Sequence, residues 1–269
     1  MEVLEYQVVG KQGDPDLCED VILIASDLVA VIDGSTDKHG LRAPDGRTGG
    51  RLAADLIAQW LPRLLSRAPH EQVAELSARL SAEFKALGFG EADHVRPGAT
   101  AAWYSARTRQ VVRVGDIRVA IGEFASAGDK RIDVILGDAR AAYTEMLLIE
   151  GADPTTLAAN DPGRELIMPA LKRQGLLANH PSSWLRYGTL DGREVPHECV
   201  EVFDVPVGAE VVLASDGYPA AARTLAEAEG QLQELIQHDP QQIRLRRGTK
   251  GLRPGAHSFD DRAYVRLRA

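Results

Sequence analysis

Three apolar runs in this 269-residue chain end on an aspartate: Val29-Ala30-Val31-Ile32-Asp33-Gly34, Arg113-Val114-Gly115-Asp116 and Val211-Val212-Leu213-Ala214-Ser215-Asp216-Gly217. Two acidic pairs open apolar runs instead, Glu19-Asp20 before Val21 and Asp260-Asp261 before Arg262. A carboxylate at a strand end is anchored by a rigid sheet yet points into solvent or a cleft. Several that converge repel one another unless a cation sits among them. Oxygen donors without Cys or His suit Mg²⁺ or Mn²⁺ rather than zinc. A glycine after the aspartate lets an ion or a second chain approach the backbone carbonyl. Taken singly, each Asp-Gly also reads as a hairpin turn, and spacing alone does not bring the acids together.

The elements that would position these acids are legible in the apolar pattern. Tyr6–Gly10 reads as a short strand. Val21–Ala25 and Leu28–Ile32, joined at Ser26-Asp27, read as a buried hairpin. Leu52–Leu65 carries a helical pattern with Thr48 as N-cap and Pro62 shortening its end; Val73–Leu87 is a second amphipathic helix. Strands are then expected at Ala99–Ser105, Gln110–Val114, Val119–Glu123 and Ile132–Leu136, followed by a helix over Ala139–Ile149. Residues 151–196 are rich in Pro, Gly, Asn and Asp and read as an insertion or flap with a short helix at Leu166–Leu177. Trp184–Asp191 would belong to it. Strands at Val200–Val205, Val211–Ser215 and Arg262–Leu267 and a helix at Thr224–Gln237 complete the chain. Strand runs with grouped helices predict two sheets sandwiched by helices rather than βαβ alternation. No linker separates two cores, so residues 1–269 read as one domain.

Composition narrows the function classes. The formal charge of −8 and the pI near 5.4 argue against a nucleic-acid partner, which needs a dense phosphate-neutralising surface. Cys18 and Cys199 form neither a zinc pattern nor a disulfide framework and are expected to be reduced. The first residues carry acid where a signal peptide carries base, and no apolar run reaches membrane-spanning length. A cytoplasmic protein without a membrane partner is the expectation.

Taken in order, the motifs resemble those of the metal-dependent protein phosphatases of the 2C type, as a divergent bacterial-type member. The matching pieces are Cys18-Glu19-Asp20, Val31-Ile32-Asp33-Gly34, Pro97-Gly98-Ala99-Thr100-Ala101, Val114-Gly115-Asp116-Ile117-Arg118, Leu213-Ala214-Ser215-Asp216-Gly217 and Asp260-Asp261. Each is short; six in the family's order span essentially the whole chain. The resemblance implies an α+β fold, a four-layer α-β-β-α sandwich with two central, mostly antiparallel sheets flanked by helix pairs. It implies two Mn²⁺ or Mg²⁺ ions and a weaker third. Asp33 would bridge two ions and Gly34 would offer its carbonyl; Asp216 and Asp260 would hold the first ion, Glu19 and Asp20 would support the second, and Asp116 would serve the third. Asp261 stands where the family has Asn, which leaves open which member of the Asp260-Asp261 pair is the ligand.

The chain departs from the pattern in two places. The family's phosphate-binding Arg is replaced at its position by Pro15, and the nearest upstream base is Lys11, which would hold phosphate as a point charge. The His that often follows Asp-Gly is missing; His39, five residues beyond Gly34, is the candidate to protonate a leaving oxygen, the alternative being an exposed loop histidine. The loop from Lys38 to Arg51 is basic, and Lys38 and Arg42 are candidate substrate contacts. The resemblance implies a phosphomonoester hydrolase acting on phosphoserine or phosphothreonine proteins through metal-activated water. A phosphatase for a small phosphorylated metabolite and a catalytically silent phosphoprotein-binding module are the rival readings.

Overall fold

The computed structural model describes residues 1–89 and 95–269. Its strands form two five-stranded sheets, both antiparallel throughout. One has the order β1 (Glu2–Val9), β10 (Arg262–Arg268), β9 (Glu210–Ala214), β6 (Arg118–Ile121), β7 (Phe124–Ser126). The other has the order β2 (Val21–Ile24), β3 (Leu28–Gly34), β4 (Ala99–Ser105), β5 (Gln110–Val114), β8 (Val200–Asp204). Strand β3 explains the sandwich. Its side chains alternate between two buried faces: Val29 and Val31 meet Val119, Leu213 and Val265 of the other sheet, while Leu28, Ala30 and Ile32 meet a helical layer. A strand buried on both faces has no polar alternation, hence the unbroken apolar run.

That helical layer is α1 (Gly49–Trp60) and α2 (Pro69–Ala86), which place Leu52, Ile57, Leu76, Leu80 and Phe84 in the same core as β3 and β4. Thr48 caps α1 by accepting the Arg51 N–H, and the chain tightens into a 3₁₀ turn at Leu61–Arg63, where Pro62 removes a donor. On the far side α6 (Leu225–His238), capped by Thr224, lies against β1 and β10. No described helix is long and apolar enough to cross a membrane.

The structure departs from the sequence reading at three places. Ile132–Leu136 is not a strand: it opens α3 (Arg131–Ile149). Ile132 and Leu136 are one helical turn apart and share a face that packs on Ile167 and Leu171 of α5 (Pro162–Arg173), so the run was short enough to read either way. The short strand β7 was not anticipated; it follows a turn at Gly122 and only three residues pair. Within 151–196 the chain forms α4 (Pro154–Asn160) and α5, so helix is more abundant there than expected.

A buried cation ties this segment down. Arg140 of α3 is fully buried, and its guanidinium donates to Asp161 Oδ2 at 2.9 Å and to the carbonyls of Gln241 (2.8 Å) and Gly248 (3.2 Å). Asp161 in turn caps α5. Arg140→Met leaves a carboxylate and two carbonyls without their donor and should cost about 3–5 kcal/mol. Denaturant unfolding would measure it, and a loss under about 1 kcal/mol would show that the network contributes little.

Candidate active site

The strand-end acids do converge. Asp33 is the penultimate residue of β3, in register with Thr100 of β4; Asp116 follows β5; Asp216 follows β9; Asp260 precedes β10. All four line one cavity of about 370 Å³. Close approach of backbone makes this possible. A Cβ on Gly34 would meet the carbonyl of Gly50 at 2.6 Å and that of Glu19 at 2.7 Å, so the chain after Asp33 can pass only as glycine. At Gly217 a Cβ would lie 2.1 Å from the Asp261 carbonyl. The glycines noted beside the aspartates thus serve packing of backbone on backbone.

The acids differ in how their charge is met. Among the described residues, no cation pairs with Asp33 or Asp216. Burial raises Asp33 well above the usual carboxylate range, helped by the charges of Asp20, Asp216, Asp116 and Asp260. Burial likewise lifts Asp216 to about 6, with Asp260 and Asp116 adding to it. Asp20 is buried and raised too, although the Ser215 hydroxyl donates to its Oδ2 at 2.6 Å.

Asp116 and Asp260 have lysines instead. Lys130 Nζ lies 2.8 Å from Asp116 Oδ2; burial works to raise Asp116, but that ammonium holds it below its ordinary value. Asp116 Oδ1 is buried without a hydrogen-bond partner among the described residues. Lys11 Nζ donates to Asp260 Oδ1 at 2.9 Å, and Lys250 Nζ donates to Asp260 Oδ2. Asp261 is engaged mainly by backbone. Its Oδ1 accepts the Lys11 backbone N–H and its Oδ2 the Glu19 backbone N–H, so it staples the Glu19 loop to β10. Glu19 accepts from the hydroxyls of Thr36 and Thr48.

The remaining sequence candidates separate. Lys38 lines the cavity; burial lowers its pKa, and the charges of Lys250 and Arg164 add to that. Arg42 is exposed and does not line the cavity, and Arg47 pairs with Asp45 and Asp55. The basic loop therefore contributes Lys38 and His39 to the site but not its arginines. His39 stands at the rim with Nε2 3.0 Å from the Lys172 carbonyl. Lys11 does not line the cavity: its ammonium faces carboxylates rather than an open anion position. Tyr187, Thr189 and Asp191 of the expected flap do line it.

Sequence reasoning passed over Lys130, Arg164 and Lys250. Each is an unremarkable base in the chain; only folding sets Lys130 beside Asp116 and Lys250 beside Asp260, and brings Arg164 to the wall of the same cavity.

A divalent ion fits part of this donor set. Asp33 and Asp216 offer hard oxygens on the cavity wall, and Asp116 Oδ1, without a hydrogen-bond partner among the described residues, is a further one; the Gly34 carbonyl is a donor that only the motif resemblance implies. Asp260 does not fit, because both its oxygens carry ammonium groups. No group of three His, Cys, Asp or Glu side chains among the described residues is arranged to hold a metal ion as it stands.

No protein-family model matches the sequence, and no curated protein matches it either. Solved structures do resemble it. The catalytic domain of the serine/threonine protein phosphatase PstP in complex with two manganese ions is 17% identical at a TM-score of 0.50, covering 100% of both chains. A bacterial serine phosphatase bearing a point substitution is 12% identical at a TM-score of 0.50, covering 98% of this chain and 96% of that one. The Mycobacterium tuberculosis serine/threonine phosphatase PstP/Ppp is 17% identical, with a TM-score of 0.47 over 98% of this chain and 97% of that one. At these identities the first two establish the fold alone, an α+β sandwich that runs the whole length of the chain.

Proposed function

We propose that the protein is a Mn²⁺- or Mg²⁺-dependent phosphomonoester hydrolase, acting on phosphoserine or phosphothreonine in a protein substrate. The observation that carries this reading is the pair Asp33 and Asp216, two carboxylates on the wall of one cavity with no protein cation among the described residues. Such acids are what a divalent ion requires, and their raised pKa values mark a functional site rather than a packed core. Asp33, Asp216 and the Gly34 carbonyl would hold the ion, with Asp116 beside them and Asp20 behind. Two ions are the form expected from the motif resemblance.

Bound there, a divalent ion supplies a water of lowered pKa and neutralises charge on phosphoryl oxygens. The chain does the rest. Strand β3 and the Gly34–Gly50 contact fix Asp33 within a rigid sheet, so the donor geometry costs no reorganisation. Lys38, Arg164 and Lys250 crowd one another on the cavity wall, and an anionic phosphate relieves their mutual repulsion. His39, at the rim, is the group proposed to return a proton to the leaving oxygen. The segment 151–196 acts as the flap, since α5 and Tyr187 close one side of the cavity.

The purified protein should hydrolyse an activated aryl phosphate only with Mn²⁺ or Mg²⁺ present, and phosphopeptides better than phosphorylated metabolites. Full activity after exhaustive chelation would overturn the reading, and a metabolite-only signal would reassign the substrate. Silence on every substrate would favour the second reading, a phosphoprotein-binding module; the lysines on Asp260 speak for it.

A further inference from the structure

The lysines on Asp260 are placed as an ion would be. Lys11 Nζ lies 2.9 Å from Asp260 Oδ1, 3.2 Å from Asp261 Oδ2 and 3.9 Å from Glu19 Oε2, and Lys250 Nζ takes the other Asp260 oxygen. Two ammonium groups carry the charge of one divalent cation. They meet three carboxylates that come from the Glu19 loop and the approach to β10, the same segments for which the motif resemblance implies metal binding.

Lys11 is not a surface side chain that happens to lie nearby. Its backbone N–H donates to Asp261 Oδ1 at 2.9 Å, and its carbonyl accepts the His257 N–H at 2.8 Å. Its main chain is therefore stapled on both sides to the approach to β10, and its ammonium reaches Asp260 from a fixed root. The side chain is about a quarter exposed, Asp260 likewise, and Glu19 and Asp261 are buried. In such surroundings a paired charge is far cheaper than an unpaired one.

We infer that Lys11 and Lys250 are built-in cations that take the place of a divalent ion at Asp260, so that the ion-binding centre is reduced to Asp33, Asp216 and the Gly34 carbonyl. This rests on the reading of the cavity as an ion site. It accounts for three facts at once: both Asp260 oxygens are engaged, Asp33 and Asp216 have no cation partner among the described residues, and a lysine stands upstream of Glu19 without facing the cavity. Lys11 is thus a structural counter-ion and not the phosphate-binding base.

Counting bound Mn²⁺ by equilibrium dialysis and elemental analysis tests the inference. Asp260→Asn should leave the number of ions on the otherwise unchanged protein as it is. The Lys11→Met/Lys250→Met double variant should bind one ion more, and adding Asp260→Asn to that variant should remove the gain. Loss of an ion from the parent on Asp260→Asn would overturn the inference while leaving the ion site in being. A double variant that folds but gains no ion would overturn it as well. Absence of Mn²⁺ from every form would sink the ion reading itself and this inference with it. Should the double variant fail to fold, the single Asp260→Asn comparison decides, and the rise in melting temperature caused by Mn²⁺ gives a second readout: it should be the same for Asp260→Asn and the parent.

Discussion

Asp33→Asn should lower kcat/KM on an aryl phosphate by at least about three orders of magnitude, roughly 4 kcal/mol of transition-state stabilisation, while the protein stays folded. Asn keeps the shape of the side chain and removes its charge. In the metal-free protein that charge is a liability, because burial and the neighbouring Asp20, Asp216, Asp116 and Asp260 all oppose it. The metal-free variant should therefore melt no lower than the parent. With Mn²⁺ the order reverses: the parent gains stability through linkage and the variant gains much less. Asp261→Asn is the control. Its carboxylate accepts backbone N–H groups that an amide oxygen also satisfies in part, so activity should fall by less than about tenfold. An Asp33→Asn variant with parental activity, or one that is unfolded without metal, would end this account of the site.

What the sequence made legible and what it hid follow from one physical distinction. Strand β3, α1 with its Thr48 cap, and the two-sheet sandwich were readable because apolar periodicity and capping are local. The convergence of Asp33, Asp116, Asp216 and Asp260 was readable only through the order of motifs along the chain, since no spacing rule joins residues so far apart. Ile132–Leu136 misled because a five-residue apolar run fits a strand as well as one helical turn. The pairing of Lys11 and Lys250 with Asp260 left no local signal at all. A lysine next to a glycine reads the same whether its ammonium meets solvent, phosphate or a buried carboxylate. Thus the acids were legible and their counter-charges were not, and the counter-charges decide which acids remain open to an ion. The same holds for the basic loop: Lys38 and Arg47 look alike in sequence, but Asp45 and Asp55 neutralise Arg47 while Lys38 turns to the cavity.

The metal-free protein should lose stability as pH rises from about 4 to about 6, the reverse of ordinary acid denaturation. Asp216 titrates near 3.8 when unfolded and near 6 in the fold, raised by burial and then by Asp260 and Asp116. Between those values the folded state binds the extra proton, so each step up in pH favours unfolding. The full gap corresponds to about 3 kcal/mol, an upper figure for one group. Asp33 and Asp20 are shifted in the same direction. Asp260 and Asp116 act oppositely: burial works to raise both, but Lys250 and Lys11 hold Asp260, and Lys130 holds Asp116, below the ordinary value, so their stabilisation is complete by about pH 5 and does not offset the loss above that point. Mn²⁺ should cancel the trend. An ion needs ionised carboxylates, so its affinity grows over the same interval, and the stability it adds is larger at pH 7 than at pH 5. Urea unfolding midpoints in EDTA and in Mn²⁺ at pH 4.5, 5.5 and 7 would measure both curves. A metal-free curve that is flat or rising across that range, or a Mn²⁺ increment that does not change with pH, would show that Asp216 is not the strained, unneutralised carboxylate on which the ion site depends.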